Sequence, residues 1–518
     1  MRAVKHLKRS PKVSSSIVRG RYLISGVHDG GKALVIENGA FVQKDGKILE
    51  VSVFDDLQTK YPDLDVVGGP SDVVLPGFVN GHHHVGMTPL QLGSPALPLE
   101  LWIARRMAGR NVDLYLDTLY SAFEMVQSGI TTVQHIHMRA RGDARAVHAS
   151  ANEIIRAYKD VGMRVSYCYG IRDQNRFIYE DDDTFIRRLP PEFAPVMKSW
   201  IDSATISLNE ALDIFEALYS ETEDDDRVRI QLAPANLHWC SDDALDAIAR
   251  KSETFDVPMH MHLLETPYQR EYARRRTGHT AVAHLNEFGM INARMTLGHG
   301  CWLSEDDVGM LAGADARVCH NCSSNLRLRS GRAPINDLHR HGVKVGIGID
   351  EAGINDDRDM LQEMRMVLCR HRDPGMDDRL LTPTQVFQMA TEHGAATTGF
   401  EAEIGMLTPG RHDDAIILKW DDISYPYLDP SVPVVDAVVH RAKTTAVKSV
   451  MVGGKMILQD GEFTRVDRSS ALAELSEKLS KPLTSEEQER RETALAVMPV
   501  VEKFYREEYP QEDILGRR

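Results

Sequence analysis

The stretch "DVVLPGFVNGHHH", residues 72–84, decides the fold, because a short apolar run ends there in three consecutive histidines. Its length and its β-branched residues predict a buried strand. Successive side chains of a strand point to opposite faces, so His82 and His84 share one face and His83 points elsewhere. Two histidines on one face can bind one metal ion. A hydrogen-bonded core histidine is the alternative for each of them taken alone.

Seven further segments in the middle of the chain are equally short and apolar, and helical patterns such as residues 112–129 and 359–372 separate them. These segments are residues 129–137, 164–171, 227–234, 256–265, 294–300, 316–321 and 342–350. Eight alternating strands and helices predict an α/β fold with a (β/α)8 TIM barrel over residues 73–401.

The two ends of the chain differ from the middle, because short β-rich segments with Asn-Gly and Asp-Gly turn signals fill residues 16–72 and 402–466. We therefore expect a small β-sandwich domain built from N- and C-terminal segments around the barrel. Residues 1–15 are predicted to form a tail, and the charged residues 467–518 a C-terminal helical extension. Residues 172–226 are acidic and irregular and are interpreted as an insertion in the barrel.

The composition limits the function classes. A net charge of −15 over 518 residues argues against nucleic-acid and anionic-membrane binding, and no apolar run is long enough for a membrane helix. Six cysteines and no secretory signal favour the cytoplasm. The pair Cys319 and Cys322 is interpreted as loop cysteines, because a closed zinc site needs four ligands. We expect a small-molecule substrate and a homodimer or higher homo-oligomer.

Metal-binding residue types cluster where the predicted strands end. In a (β/α)8 barrel these carboxyl ends of the strands meet at the active site. The residues concerned are His82, His83, His84, His260, His262, Glu265, His299 and Asp350. Several histidines and one carboxylate make a ligand set suited to zinc or iron.

Four segments carry a resemblance to a known family: "LPGFVNGHHH" (75–84), "MHMHLLET" (259–266), "TLGHG" (296–300) and "VGIGID" (345–350). Over residues 16–466 the chain resembles the amidohydrolase superfamily, in its cytosine deaminase and chlorohydrolase-like branch. "SSNLRLRSGRAPI" (323–335) and "ATEHGAATTGFEAEIG" (390–405) are also similar to segments of that family.

The resemblance implies the metal ligands His82, His84, His262 and Asp350. It implies that Glu265 carries protons during the reaction, and that His299 and Asp350 act on the water. Two-metal members usually bridge their ions with a carboxylated lysine on the fourth strand, and "VRIQLAP" (228–234) contains none. The expected cofactor is therefore one divalent metal ion, with zinc favoured over iron.

The function that the resemblance implies is metal-dependent hydrolysis, above all deamination of an amino-substituted N-heterocycle. The same machinery could instead hydrolyse an amide, a urea, an N-alkylamine or a chloro-heterocycle. A non-catalytic scaffold protein is the alternative from another class, but such a protein should have lost ligands. Substrate contacts are expected from Gln91, Trp102 and Asn325, although Trp102 could instead anchor a helix and Asn325 a turn.

The chain departs from the family pattern at two places in the barrel. Cys322 stands where the family often has proline. His135 and His137 form a second His-x-His where an aspartate is frequent. Substrate contact or packing is the favoured interpretation of these two histidines, and a second metal site is the alternative.

Overall fold

The computed structural model describes residues 15–28, 31–138, 140–376 and 379–515. Almost all of the tail predicted for residues 1–15 therefore lies outside the described residues. Within the described residues, no helix combines the length and the apolar character needed to cross a membrane.

The strands are numbered along the chain. They are β1 (Ser15–His28), β2 (Lys32–Glu37), β3 (Gly39–Lys44), β4 (Lys47–Val53), β5 (Asp65–Pro76), β6 (Phe78–His83), β7 (Ile130–His137), β8 (Arg164–Ile171), β9 (Val228–Ile230), β10 (Ala233–Pro234), β11 (Met259–Leu263), β12 (Met295–His299), β13 (Arg317–His320), β14 (Val345–Ile347), β15 (Ala415–Lys419), β16 (Val447–Val452), β17 (Lys455–Gln459) and β18 (Glu462–Phe463).

The helices are numbered in the same way. They are α1 (Phe54–Lys60), α2 (Leu99–Arg106), α3 (Leu114–Gln127), α4 (Ala144–Val161), α5 (Asp182–Arg187), α6 (Ala194–Ser203), α7 (Leu208–Thr222), α8 (Asp242–Phe255), α9 (Pro267–Thr277), α10 (Ala281–Glu287), α11 (Glu305–Gly313), α12 (Cys322–Arg327), α13 (Ile335–Arg340), α14 (Met360–Arg370), α15 (Pro383–Ala390), α16 (Glu392–Ala396), α17 (Trp420–Ser424), α18 (Val434–Arg441), α19 (Arg468–Ser480), α20 (Ser485–Glu508) and α21 (Gln511–Leu515). Short 3-10 helices lie at Leu237–Trp239 and Thr444–Ala446.

Strands β6 to β14 form the barrel. Strands β6 to β10 pair in one parallel sheet and β11 to β14 in another. Two parallel bridges, Leu232 with Met259 and His83 with Asp350, join the two sheets. The short strands β9 and β10 share the fourth position, so the described strands occupy eight positions around the ring. The predicted TIM barrel is confirmed.

The main core lies between the barrel strands and the surrounding helices. Val133 and Val165 of the strands belong to the same buried cluster as Phe123 of α3 and Tyr158 of α4. Strands covered on both faces need apolar side chains almost throughout, which explains why they appear in the sequence as continuous apolar runs.

The two ends of the chain pair in one sheet. Strand β5 pairs in parallel with β1 and antiparallel with β15, so the N- and C-terminal segments meet at β5. Among the described residues this sheet contains nine strands, β1 to β5 and β15 to β18. Its classification as a sandwich stays a prediction.

A buried ion pair fixes this sheet against the barrel. Nε of Arg164, on β8, donates to Oδ2 of Asp414 at 2.7 Å, and Nη2 donates to Oδ1 at 3.0 Å. Both side chains are buried. A bidentate pair of this kind holds its partners in one relative orientation.

The inserted segment is more regular than the sequence suggested. Residues 172–226 contain the three helices α5, α6 and α7 rather than an irregular loop. Helix α7 begins with a capping box formed by Ser207 and Glu210, and it buries one apolar face. That local start signal, Ser-Leu-Asn-Glu at residues 207–210, is present in the sequence.

The C-terminal extension packs on its own chain. Helix α20 shares an apolar cluster with α2, α5 and α6. Arg490 of α20 donates to the carbonyl oxygens of Met107 at 3.2 Å and Gly109 at 2.9 Å. Helices α2, α5, α6 and α20 together are called the roof below, and α2, α6 and α20 contribute residues to the wall of the cavity described next.

Candidate active site

Four predicted ligands converge at the carboxyl ends of the barrel strands. Nε2 of His84 lies 3.1 Å from Nε2 of His82 and 3.0 Å from Nε2 of His262. Oδ1 of Asp350 lies 3.2 Å from Nε2 of His84 and 3.8 Å from Nε2 of His82. All four residues are buried. The barrel thus brings together side chains that are up to 268 positions apart in the sequence.

The hydrogen bonds of these rings leave nitrogen lone pairs facing one another. Nδ1 of His84 donates to the carbonyl oxygen of Ile136 at 2.7 Å, and Nδ1 of His262 donates to that of Ala235 at 2.9 Å. A neutral ring carries one proton, so each Nε2 then holds a lone pair. Facing lone pairs repel unless a cation lies between them. Tetrahedral zinc with ~2.0–2.1 Å bonds to nitrogen places its ligands about 3.3 Å apart, which these distances fit.

The protonation of the ligands agrees with this interpretation. Burial and the neighbouring histidines lower the pKa values of His82 and His262 well below the ordinary value, so both rings are neutral. Burial opposes ionisation of Asp350, but its contacts with His84 and Ser324 hold its pKa well below the usual range. His84 differs, because its contact with Asp350 raises the pKa of its ring while no cation lies between them. A divalent cation would take the place of that proton, and the set would then offer three imidazole nitrogens and one carboxylate.

Glu265 and His299 lie beside the ligand set. Oε2 of Glu265 is 3.6 Å from Nε2 of His299, and Oε1 accepts a hydrogen bond from Oγ of Ser330 at 3.0 Å. Burial, reinforced by the charge of Asp350, raises the pKa of Glu265 well above its ordinary value. This shift favours the protonated carboxyl, the form that can act as a general acid.

Backbone strain marks the same strand ends. Leu264, His299 and Asp350 adopt φ values of +51°, +72° and +60°. Residues other than glycine rarely occupy this left-handed region, and such residues concentrate at functional sites. At each of these strand ends the chain turns sharply. The turns occur at His299, at Asp350 and immediately before Glu265.

The segment that follows β13, Asn321 and helix α12, holds His299 and Asp350 in place by hydrogen bonds. Nδ1 of His299 donates to Oδ1 of Asn325 at 2.9 Å, and Nδ2 of Asn321 lies 3.3 Å from Nε2 of His299. Oγ of Ser324 donates to Oδ2 of Asp350 at 2.5 Å. Asn325, predicted to bind substrate, thus contacts a catalytic candidate and is not among the cavity-lining residues.

Further histidines surround the ligands. Nδ1 of His82 lies 2.9 Å from Nε2 of His260. His83 faces away from the ligands, and its Nδ1 donates to the carbonyl oxygen of Asp350 at 2.9 Å. Nδ1 of His135 and of His137 lie 3.0 Å and 2.9 Å from the hydroxyls of Tyr158 and Tyr167. His135 and His137 also line the cavity.

A cavity of about 380 Å³ opens above the ligands. Trp102 lines it. Gln91 lies outside this lining, because Nε2 of its amide donates to the hydroxyl of Tyr120 at 3.0 Å and Oε1 accepts from the N–H of Thr88 at 2.8 Å. The substrate contacts expected of Gln91, Trp102 and Asn325 stay predictions.

Sequence reasoning missed several residues of the cavity wall. Arg106 forms an ion pair with Glu351, and its guanidinium lies 4.4 Å from the ring centre of Trp102. Arg172 and Trp239 also line the cavity. Two signals were available: Arg106 follows Trp102 by four positions on one helix, and Glu351 directly follows Asp350. Arg172 and Trp239 carry no comparable signal.

Comparison with known proteins gives three groups of matches. The model of the amidohydrolase family matches residues 73–457. A 5-methylthioadenosine/S-adenosylhomocysteine deaminase of Syntrophomonas wolfei is 28% identical over 454 residues, covering 86% of this chain and 96% of the relative. A 5'-deoxyadenosine deaminase of Methanothermobacter thermautotrophicus is 29% identical over 456 residues, covering 87% of this chain and 96% of the relative.

Two solved structures share the fold. A zinc-bound adenosine deaminase from Xanthomonas campestris has a TM-score of 0.72 at 22% identity and covers 90% of this chain and 98% of its own. A zinc complex of atrazine chlorohydrolase from Arthrobacter aurescens has a TM-score of 0.75 at 20% identity and covers 89% of this chain and 99% of its own. Both likenesses support the barrel.

Proposed function

The chain belongs to the amidohydrolase family, and we propose that it hydrolyses the exocyclic amino group of an N-heterocycle, releasing ammonia. It is a hydrolase acting on carbon–nitrogen bonds other than peptide bonds. One observation carries the proposal: the buried carboxyl of Glu265, whose pKa burial raises, lies 3.6 Å from His299, beside three histidines and Asp350. A general acid at that place is what an amino leaving group needs.

His82, His84, His262 and Asp350 would hold one divalent metal ion, zinc in preference to iron. When bound, the metal would lower the pKa of water beside it and so supply a nucleophile at neutral pH. The facing Nε2 atoms support this assignment. The zinc in the two solved relatives of the fold supports the choice of metal.

Different side chains of the site would carry the successive proton transfers of the reaction. Asp350 accepts a proton from the attacking water, and His299 hydrogen-bonds to the oxygen as it adds to the amino-bearing carbon. Glu265 gives its proton to the adjacent ring nitrogen, which takes up the electron pair of the C=N bond. Glu265 then takes the proton of the added hydroxyl and gives it to the amino group, which the tetrahedral carbon expels as ammonia, and the proton held by Asp350 restores Glu265. The ring keeps a carbonyl group.

The substrate class that we propose is an aminopurine nucleoside. The relatives named above are deaminases of adenosine derivatives. A cavity of about 380 Å³ has room for a ring system with a substituent, and Trp102 and Trp239 offer flat faces to it. We retain Trp102, Gln91 and Asn325 as contact residues. Gln91 and Asn325 would have to exchange their present hydrogen-bond partners for substrate.

Turnover of a substrate panel tests the proposal. The zinc-loaded protein is offered adenosine derivatives, aminopyrimidines, aminotriazines and a chlorotriazine, with ammonia, alkylamine and chloride measured separately. We expect ammonia from an aminopurine nucleoside and none from the Glu265→Gln protein. Chloride or alkylamine without ammonia would assign the same site to another leaving group. No product from any compound would favour the scaffold alternative.

The domain organisation and the assembly complete the proposal. We assign residues 16–72 with 402–466 to one β-sandwich domain, residues 73–401 to the barrel and residues 467–518 to a helical extension. The pairing of β5 with β1 and β15 supports the joining of the two ends in one domain, although β5 carries the sheet to Pro76, four residues past the boundary at 72. We propose a cytoplasmic homodimer or higher homo-oligomer, and light scattering on the eluted protein measures its mass.

A further inference from the structure

A second group of metal-binding side chains lies near the outer side of the barrel wall. His320 ends β13, Cys322 begins α12, and His371 directly follows α14. Their ligand atoms lie within 4.8 Å of one another. Nε2 of His320 is 2.9 Å from Nε2 of His371. All three side chains are at most 2% exposed.

This group shares no ligand with the candidate active site. On β13 the neighbours of His320 face the barrel interior: Cys319 lies against Gly81 and Gly348, and Asn321 contacts His299. Alternation along the strand therefore points His320 to the other side, toward α14. Of the two cysteines in the C-x-x-C, only Cys322 joins the group.

The chemistry of the three donors suits a borderline-soft cation. Two imidazoles and one thiolate supply three of the four ligands of tetrahedral zinc, and a water molecule would supply the fourth. Burial lowers the pKa of His371 to about 3 and that of His320 well below its usual value, so both rings are neutral. Burial raises the pKa of the Cys322 thiol, so binding a cation would release the thiol proton to solvent.

A hydrogen bond between the two rings would explain their contact without a metal. It would not explain why Cys322 converges on the same point, because this thiol has no hydrogen-bond partner in the described part of the chain. The two charged groups near these side chains have opposite effects on cation binding. Glu363, which accepts from the N–H of Ser323 at 2.8 Å, favours a cation, whereas Arg370 disfavours one.

We propose that His320, Cys322 and His371 form a second, non-catalytic site for a divalent cation such as Zn²⁺. A cation there would hold the junction of β13 and α12 against the end of α14. The same junction carries Asn321, Ser324 and Asn325, which contact His299 and Asp350. The second site would thereby fix the segment of Asn321 and α12, whose hydrogen bonds position His299 and Asp350.

Cobalt substitution tests the site by a signal that the catalytic centre cannot give. The intact protein is produced in minimal medium with Co²⁺ as the added metal, so that a buried site can fill during folding. Thiolate ligation produces a ligand-to-metal charge-transfer absorption in the near ultraviolet, and the candidate catalytic ligands include no cysteine. We expect this absorption and about two metal equivalents per chain. The Cys322→Ser protein should lose the absorption and one equivalent.

Cys240→Ser is the matched control, because Cys240 is also buried but bonds to the carbonyl oxygen of Ile171 at 3.3 Å, away from the group. This variant should keep both signals. An unmodified protein without the absorption, or a Cys322→Ser protein that retains it, would overturn the proposal. If Cys322→Ser fails to fold by circular dichroism, His371→Gln decides by the same two signals. None of these outcomes depends on ammonia release.

Discussion

The floor and the roof of the cavity are held by different kinds of contact. The floor consists of His82, His84, His262 and Asp350, fixed at strand ends by backbone pairing and by hydrogen bonds to carbonyl groups. The roof is an apolar cluster in which α20 packs on α2, α5 and α6. Changes in the floor should therefore abolish the reaction, whereas changes in the roof should alter substrate binding or stability.

The largest effect is expected from the floor. His84→Ala removes one ligand, so it should lose one metal equivalent relative to the unmodified protein. Loss of metal activation is worth several kcal/mol, and kcat/KM should fall on the order of 10⁴-fold. His83→Ala is the control, since that ring faces away, and it should keep its metal. Elemental analysis and ammonia release measure both. Equal metal content in the two variants would refute the division of the three histidines.

Glu265→Gln should separate chemistry from metal binding. The amide cannot deliver a proton to the ring nitrogen, so kcat should fall by about 10²–10⁴-fold, while the metal content stays unchanged. Steady-state kinetics and elemental analysis on the same preparation measure this. Full activity in this variant would remove Glu265 from its role as proton carrier.

Asn325→Ala tests whether the hydrogen bond from His299 to Asn325 is needed to orient the His299 ring. Without the acceptor Oδ1, the ring of His299 loses a hydrogen bond that orients it, so kcat should drop about 10–100-fold with little change in KM. A rise in KM at constant kcat would instead show that Asn325 contacts substrate, as the sequence had suggested.

Trp102→Ala tests the roof as a substrate contact. Losing one aromatic face should raise KM about tenfold and leave kcat within about twofold. The metal content should not change, because Trp102 touches none of the proposed ligands. A large fall in kcat with unchanged KM would mean that the roof also affects the chemical step, and would contradict the division of roles between floor and roof.

The smallest effect on the reaction is expected from Arg490→Gln. Its lost hydrogen bonds to Met107 and Gly109 should lower the free energy of unfolding by about 1–3 kcal/mol. Because Arg490 also lines the cavity, KM should change, but by less than in Trp102→Ala. Leu495→Ala on the exposed side of the same helix should change it by less than about 0.5 kcal/mol. Denaturant titration compares the two. Equal stability of both variants would contradict the anchoring role of Arg490.

Local signals in the sequence predicted that the polar side chains of the floor would meet at the strand ends, whereas the choice of His82, His84, His262 and Asp350 as ligands came from the family resemblance and stays a prediction. The two-residue period separates His83 from its neighbours, and each strand end carries its polar residue within a few positions. The contacts of the roof could not be predicted. Arg490 and Met107 are 383 positions apart, and the sequence around them contains no signal that they touch. The pairing of His320 with His371 was hidden for the same reason. The roles of Gln91 and Asn325 were drawn from resemblance, which gives no hydrogen-bond partners.

Anomalous diffraction at the zinc absorption edge, from crystals of the purified active protein, tests the central claim most directly. We expect an anomalous peak bonded to His82, His84, His262 and Asp350. Well-ordered side chains at these four positions without a peak between them, in protein that still releases ammonia, would contradict it.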